Sequence, residues 1–197
     1  MLRVICVNNG DKYNQWYTDN LRHMVDKYSG LEYDSFEVCT EEIYGGVYDK
    51  LQMFDLFRDG QNIYFDLDVL IKGDCNKFLK EKFTVCHAWW RKAWHTPLNS
   101  SIISWEGDKS NMFKFWDDDW ANMMRKYNRG IDQYFWEVYN VDTFANKRYC
   151  SYQTVKEEED YDVYFFNQTH EYMKTTDWCQ KYFLQSQSRP LSPRQYL

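Results

Sequence analysis

Between Leu2 and Asp74 the apolar positions switch between a strand-like run and a helix-like period, in alternation. Leu2-Arg3-Val4-Ile5-Cys6-Val7 is a short, β-branched apolar run stopped by Asn8-Asn9-Gly10-Asp11, the pattern of a buried strand ending in a turn. From Tyr13 to Tyr28, the residues Trp16, Tyr17, Leu21, Met24, Val25 and Tyr28 recur at helical spacing, and Gly30 ends the helix. Tyr33 to Cys39 predicts a second strand. Tyr48 to Phe57 places Leu51, Phe54, Leu56 and Phe57 on one helical face before Asp59-Gly60 breaks it. Asn62-Ile63-Tyr64-Phe65 then reads as another buried strand, and it runs straight into Asp66-Leu67-Asp68. This β-α-β-α-β order predicts an α/β fold with parallel strands and helices on the faces of the sheet.

In such sheets ligands collect beyond the carboxyl ends of the strands. Asn8-Asn9 and Asp66-Asp68 sit at two such ends and are expected to face one crevice. Two carboxylates leaving a strand can supply oxygen ligands to Mg²⁺ or Mn²⁺, hard cations that favour carboxylate, water and phosphate oxygen. Acid pairs at loop starts also cap turns and helices. Here, however, an apolar strand precedes the acids and Val69-Leu70-Ile71 follows them, so the charges stand in apolar surroundings and need a partner.

Composition narrows the possible partners. The chain has 197 residues, enough for one domain with a real core, and its net charge of −6 disfavours a nucleic-acid backbone. A small anionic ligand stays open, because a metal ion can supply positive charge locally. No apolar stretch approaches a membrane span, and Met1 to Val7 lacks the pattern of a secretory signal, so a cytoplasmic location is expected. The six cysteines are dispersed without a C-x-x-C, which predicts free thiols, and Cys86-His87 is not at zinc-ligand spacing. Aromatic residues reach 20%, which suits bulky cores and also sugar-stacking surfaces. The stripe Trp89-Trp90-Arg91-Lys92-Ala93-Trp94-His95 fits either core packing or an acceptor groove. Asp117-Asp118-Asp119 reads as a solvated turn or helix N-terminus, and Glu157-Glu158-Glu159-Asp160 as a solvated charge run before the last strand.

Lys50-Leu51-Gln52-Met53-Phe54-Asp55-Leu56-Phe57, followed by Ile63-Tyr64-Phe65-Asp66-Leu67-Asp68-Val69-Leu70-Ile71-Lys72-Gly73-Asp74, resembles the glycogenin-like and lipopolysaccharide-galactosyltransferase-like enzymes (family eight) of the GT-A fold. The resemblance spans roughly residues 2–178, with the stretch from Lys50 to Asp74 its specific part. It implies a single GT-A domain over residues 1–185 with a mixed, mainly parallel sheet, while the tail over 186–197, with two of the three prolines, reads as extended or disordered. It implies metal-dependent transfer of a sugar from a nucleotide-diphosphate donor, UDP-sugar favoured, to a carbohydrate or glycan acceptor, with retention of configuration. Val7, Asn8, Asn9 and Tyr13 then look like the strand and loop that contact the nucleotide. Asp66, Leu67 and Asp68 meet its diphosphate through the ion, and Asn99 and Ser100 in Asn99-Ser100-Ser101-Ile102-Ile103 lie near the sugars. Asp132 and Gln133 look like the family's Asp-Gln pair beside the transferred sugar. Lys50 would hold the sugar or its phosphate, and Lys174 could meet the diphosphate.

Two departures bear on the metal and the acceptor. Relatives usually carry a late Phe-His-Gly whose His completes the metal shell, and here Phe166-Asn167-Gln168 puts Asn167 in that place. Asn offers one amide oxygen to a hard ion, and His170 three residues on is the other candidate ligand. Ser101 stands where relatives have Gly, which crowds the acceptor side. Two other functions remain open: a non-catalytic carbohydrate-binding or structural protein, and a sugar nucleotidyltransferase. The latter would be expected to open with a Gly-rich basic phosphate loop, and Asn8-Asn9-Gly10-Asp11-Lys12 has one Gly and one Lys.

Overall fold

A computed structural model describes residues 1–92 and 95–184. Ala93 and Trp94 of the aromatic stripe, and the tail 186–197, lie outside the described residues. The central six-stranded sheet has the order β2-β1-β3-β6-β5-β7. It is formed by β1 (Leu2–Val7), β2 (Ser35–Cys39), β3 (Gln61–Phe65), β5 (Thr84–His87), β6 (Leu98–Glu106) and β7 (Asp142–Thr143). β1 pairs in parallel with both β2 and β3, and β7 pairs in parallel with β5. Only β6 runs against its neighbours, so the sheet is mixed and mainly parallel.

Strand alternation divides the core in two. Val4, Cys6, Ile63 and Phe65 face one side, where α1 (Gln15–Tyr28) covers them with Tyr17, Leu21, Met24 and Val25. Ile5, Val7 and Tyr64 face the other side, toward Leu51, Met53 and Phe54. There the aromatic excess fills a second core, with Trp105 on β6, Trp116 on α3 (Ser110–Asp117), and Tyr134 and Phe135 on α5 (Ile131–Val138). Between α3 and α5 lies α4 (Trp120–Lys126), and the backbone carbonyl of Asp119 accepts from Asn122 and Met123 N–H at its start.

Two elements differ from the sequence pattern. The helix expected over Tyr48 to Phe57 is a 3₁₀ turn, Gly46–Leu51, running into a short α2, Gln52–Leu56. The apolar run after the acids does not stay in the main sheet. Val69–Ile71 becomes β4 and joins β8 (Tyr149–Ser151) and β9 (Val163–Phe165) in a small second sheet of order β4-β9-β8. Glu157 to Asp160 is also more than a solvated run. Glu158 binds Lys72 at 3.2 Å and Lys181 at 2.6 Å and accepts from Tyr182, so the two residues after α6 (Glu171–Thr175) and α7 (Asp177–Gln180) are tied to the residue that follows β4. The Lys181 ammonium first, then the Tyr182 hydroxyl, holds the Glu158 carboxyl down to about 2. All six cysteines are free and buried, and among the described residues no helix is long and apolar enough to cross a membrane.

The second sheet is pinned to the loop after β4 at Gly73. A Cβ there would sit 2.9 Å from Asp162 Cγ, while Lys77 at 2.6 Å and Arg148 at 3.0 Å hold that carboxylate in place. Gly73→Ala is expected to lower stability by about 1–3 kcal/mol, the usual cost of overpacking a site that cannot relax. A urea midpoint unchanged from the parent chain would show that the Asp162 cluster gives way.

Candidate functional site

β1 and β3 are adjacent and parallel, so Val7 and Phe65 end on the same edge of the sheet. Beyond that edge lies a cavity of about 450 Å³. Val7, Asn9 and Tyr13 line it from the first loop, Lys50 from the 3₁₀ turn, and Asp66, Leu67 and Asp68 from the end of β3. Asn99, Ser100, Asp132 and Asn167 close the far wall.

The acids are fixed by their neighbours. Asp66 N–H donates to the Ser101 carbonyl at 3.0 Å, and Phe166 N–H donates to the Asp68 carbonyl at 2.8 Å, so both sheets clamp this backbone. Lys50 Nζ lies 2.6 Å from Asp66 Oδ1, which also accepts from the Tyr64 hydroxyl at 2.5 Å. Tyr64 and Asp66 share a strand face, which is why a residue two positions back can reach the carboxylate. Asp68 is only 4% exposed and accepts from the Tyr13 hydroxyl at 2.7 Å. Burial raises the Asp68 carboxyl above its ordinary range and the charge of Asp66 adds to this, while Tyr13, Lys12 and Lys50 pull it back. Burial beside these carboxylates likewise drives the Tyr13 and Tyr64 hydroxyls upward, so both stay protonated donors.

The opposite wall is a second charged pair. Asp132, in the first turn of α5, accepts from Ser100 N–H at 2.9 Å and from Arg91 Nη1 at 3.0 Å. Arg91 also donates to the carbonyls of Leu98 and Thr96, which fixes its guanidinium. Asn99 Oδ1 accepts from Ser101 N–H at 3.1 Å, and Ser101 Oγ donates to Asn167 Oδ1 at 3.3 Å.

The donor chemistry here suits a hard divalent ion. Each carboxylate keeps one oxygen outside the bonds just described, and Asn167 lines the same cavity with an amide oxygen. No group of three His, Cys, Asp or Glu side chains arranged to hold a metal occurs among the described residues. Mg²⁺ is in general held by one or two carboxylates together with waters and substrate phosphates, the kind of oxygen that Asp66 and Asp68 present here.

Four of the anticipated site residues lie elsewhere. Asn8 turns to α1 and donates to Thr18 Oγ1 at 2.9 Å, because alternation sends its side chain to the opposite face from Asn9. Gln133 donates to Glu137 at 2.8 Å and lines a neighbouring cavity, one helical step around from Asp132. Lys174 places its ammonium over the Trp16 and Tyr17 rings, 4.8 and 4.6 Å from their centroids, away from the cavity. His170 packs edge-on against Tyr13 and Tyr17, at 5.4 and 5.9 Å, with Nδ1 buried and unpartnered among the described residues. It supports Tyr13 from behind and does not line the cavity.

Other residues join the site unannounced. Tyr64 was legible in principle from its i−2 spacing to Asp66. Arg91 was named only as part of the aromatic stripe, and its pairing with Asp132 carried no signal, since the two are 41 residues apart in sequence. Asp49 is fully buried, and it accepts backbone N–H bonds from Ile43, Tyr44 and Gly45 and the side-chain amide of Asn9. It thereby fixes the loop that carries Gly46 and Val47 along the cavity wall.

Solved structures of similar shape are glycosyltransferases. They include a glycosyltransferase involved in the glycosylation of the major capsid of PBCV-1, with TM-score 0.62 and 11% identity over 88% of this chain and 98% of that one. The galactosyltransferase LgtC, in complex with donor and acceptor sugar analogues, gives TM-score 0.59 and 10% identity over 83% of this chain and 86% of that one. The fold is the GT-A fold. The glycosyltransferase GlyE of Streptococcus pneumoniae TIGR4 matches at TM-score 0.53 and 9% identity over 73% of this chain, which spans 45% of GlyE's length. No protein-family model and no curated protein sequence matches the chain.

The hydrogen bonds to Asp49 make a sharp expectation. Asp49→Asn replaces one acceptor oxygen by a donor facing backbone N–H groups, and should cost about 2–3 kcal/mol, the scale of bonds to a buried charge. Chemical denaturation measures it, and a change below the experimental scatter would mean that the loop holds itself. Gln168, at the rim, is the one non-glycine among the described residues at positive φ, 57°. Left-handed backbone costs an ordinary residue about 1–2 kcal/mol and glycine's extra unfolded-state freedom costs about 0.4–1, so Gln168→Gly should raise stability by up to about 1 kcal/mol. A melting temperature that falls instead would show that the Gln168 side chain holds the rim.

Proposed function

We propose that this chain is a glycosyltransferase of the glycogenin-like type, moving a sugar from a nucleotide-diphosphate donor, UDP-sugar favoured, to a carbohydrate acceptor. The observation that carries the reading is the pair Asp66 and Asp68 at the end of β3, in a cavity of about 450 Å³ shared with Lys50, Asn99, Ser100 and Asp132. Val7, Asn9 and Tyr13 form the end of that cavity suited to the nucleotide.

Asp66 and Asp68 would hold Mn²⁺ or Mg²⁺, with Asn167 as the additional protein oxygen. When bound, the ion would supply positive charge against the diphosphate and make the nucleoside diphosphate a better leaving group. Tyr13 and Tyr64 orient the two carboxylates by donating to them. Lys50, now on Asp66 and 3.3 Å from Ser100 Oγ, is positioned to meet the sugar or its phosphate. Asp132, oriented by Ser100 N–H and Arg91, presents a carboxylate for positive character developing on the sugar ring. Retention of configuration follows the family resemblance.

One observation favours a second reading, a non-catalytic nucleotide- or carbohydrate-binding protein: no three-residue ligand cage exists among the described residues. Calorimetry with UDP and Mn²⁺, followed by assay of UDP-sugar hydrolysis, separates the two. The parent chain should bind UDP only with Mn²⁺ present and should hydrolyse a UDP-sugar slowly. Asp68→Asn should weaken metal-dependent UDP binding by roughly 100-fold or more. Equal binding in the presence of a chelator, or in Asp68→Asn, would remove the metal from the proposal, and binding without turnover would favour the second reading.

A further inference from the structure

A second cavity, of about 480 Å³, adjoins the first and shares Arg91 and Arg129 with it. Its wall is built from Trp89, Arg91, Lys92, Arg129, Trp136 and Glu137, among others. In a chain of net charge −6, Lys92 and Arg129 against the one carboxylate of Glu137 leave a local positive excess, Arg91 being paired with Asp132. Glu137 accepts from the Gln133 amide at 2.8 Å, which fixes its orientation. Arg91 is balanced by Asp132 at 3.0 Å. Lys92 and Arg129 have no ion-pair partner among the described residues, so their charge is available to a ligand.

The aromatic residues divide between packing and exposure. Trp89 is packed, stacked on Tyr161 at 6.2 Å with Nε1 donating to the Tyr149 carbonyl. Trp136 is 55% exposed, on the turn of α5 that follows Asp132 and Gln133. An exposed indole beside two unpaired cations suits a ligand with an apolar ring face and an anionic substituent.

We propose that this second cavity binds an anionic saccharide, a sugar bearing a carboxylate or a phosphate. The ring lies on Trp136 and the anion meets Lys92 and Arg129. Its role as the acceptor side of transfer rests on reading the first cavity as the donor site; the binding itself does not. Arg129, facing both cavities, would then place the acceptor's charge next to the donor's, and Arg91 would keep Asp132 from repelling it.

The test is a binding titration of the full chain with methyl β-glucuronide, glucose 6-phosphate and the uncharged methyl β-glucoside, beside a separate titration with UDP and Mn²⁺. At least one anionic sugar should bind about tenfold or more tightly than the glucoside, with an affinity that drops as salt is raised. Preference for the glucuronide or for the phosphate identifies which anion the cations fit. Lys92→Gln and Trp136→Ala should each weaken that binding about fivefold or more, because each removes one of the two contacts. Both residues line only the second cavity, so UDP–Mn²⁺ affinity should hold in both variants. Equal affinity for charged and uncharged sugars, or binding indifferent to both substitutions, overturns the proposal. Loss of UDP–Mn²⁺ binding in the parent chain, with the anionic preference intact, would overturn the donor reading and leave this site standing.

Discussion

Two carboxylates stand at the end of a buried strand, and each is met there by donors from other parts of the chain. Lys50 at 2.6 Å and the Tyr64 hydroxyl answer Asp66, and the Tyr13 hydroxyl answers Asp68. These donors come from three different segments, so charge compensation is also what draws the 3₁₀ turn, the first loop and β3 around one space. Burial still raises the Asp68 carboxyl, so the compensation is incomplete. A site left in that condition gains from any further positive charge delivered with a ligand.

The rest of the molecule is a platform for that arrangement. Ladder bonds from β6 and the approach of Phe166 after β9 hold the backbone of Asp66 and Asp68 from either side. β9 is in turn fixed by β4 and β8, and Lys181 after α7 is joined through Glu158 to Lys72 after β4. The aromatic excess serves this rigidity. Trp105, Trp116, Tyr134 and Phe135 fill one face of the sheet at full burial, leaving Trp136 as an outward ring on the same helix.

The far wall follows the same physics with the signs rearranged. Asp132 is held by Arg91 and by Ser100 N–H, and Arg91 is held by the carbonyls of Thr96, before β6, and Leu98, its first residue. Asp49 does the comparable work for the near loop, gathering three backbone N–H groups and Asn9 around a carboxylate with no solvent exposure. Both acids orient backbone and neighbours, and in doing so they set the width of the cavity.

Periodicity and punctuation in the sequence determined the order of elements up to Phe65 and the burial of β1 and β3, because alternation and helical spacing are local properties. The placement of Asp66 and Asp68 at a strand end was equally local, as the acids interrupt an apolar run. The same alternation, followed one residue past β1, would have turned Asn8 away from Asn9. The departure of Val69-Leu70-Ile71 into a second sheet was not legible, since its partner strand lies far on in sequence at Tyr164, and an apolar triplet pairs equally well with either sheet. Nor were the Arg91–Asp132 pair, the burial of Asp49 and the turning away of Gln133, His170 and Lys174. Those depend on which side chains meet across long sequence separations, and a charge chooses its partner only once packing has decided which one is within reach.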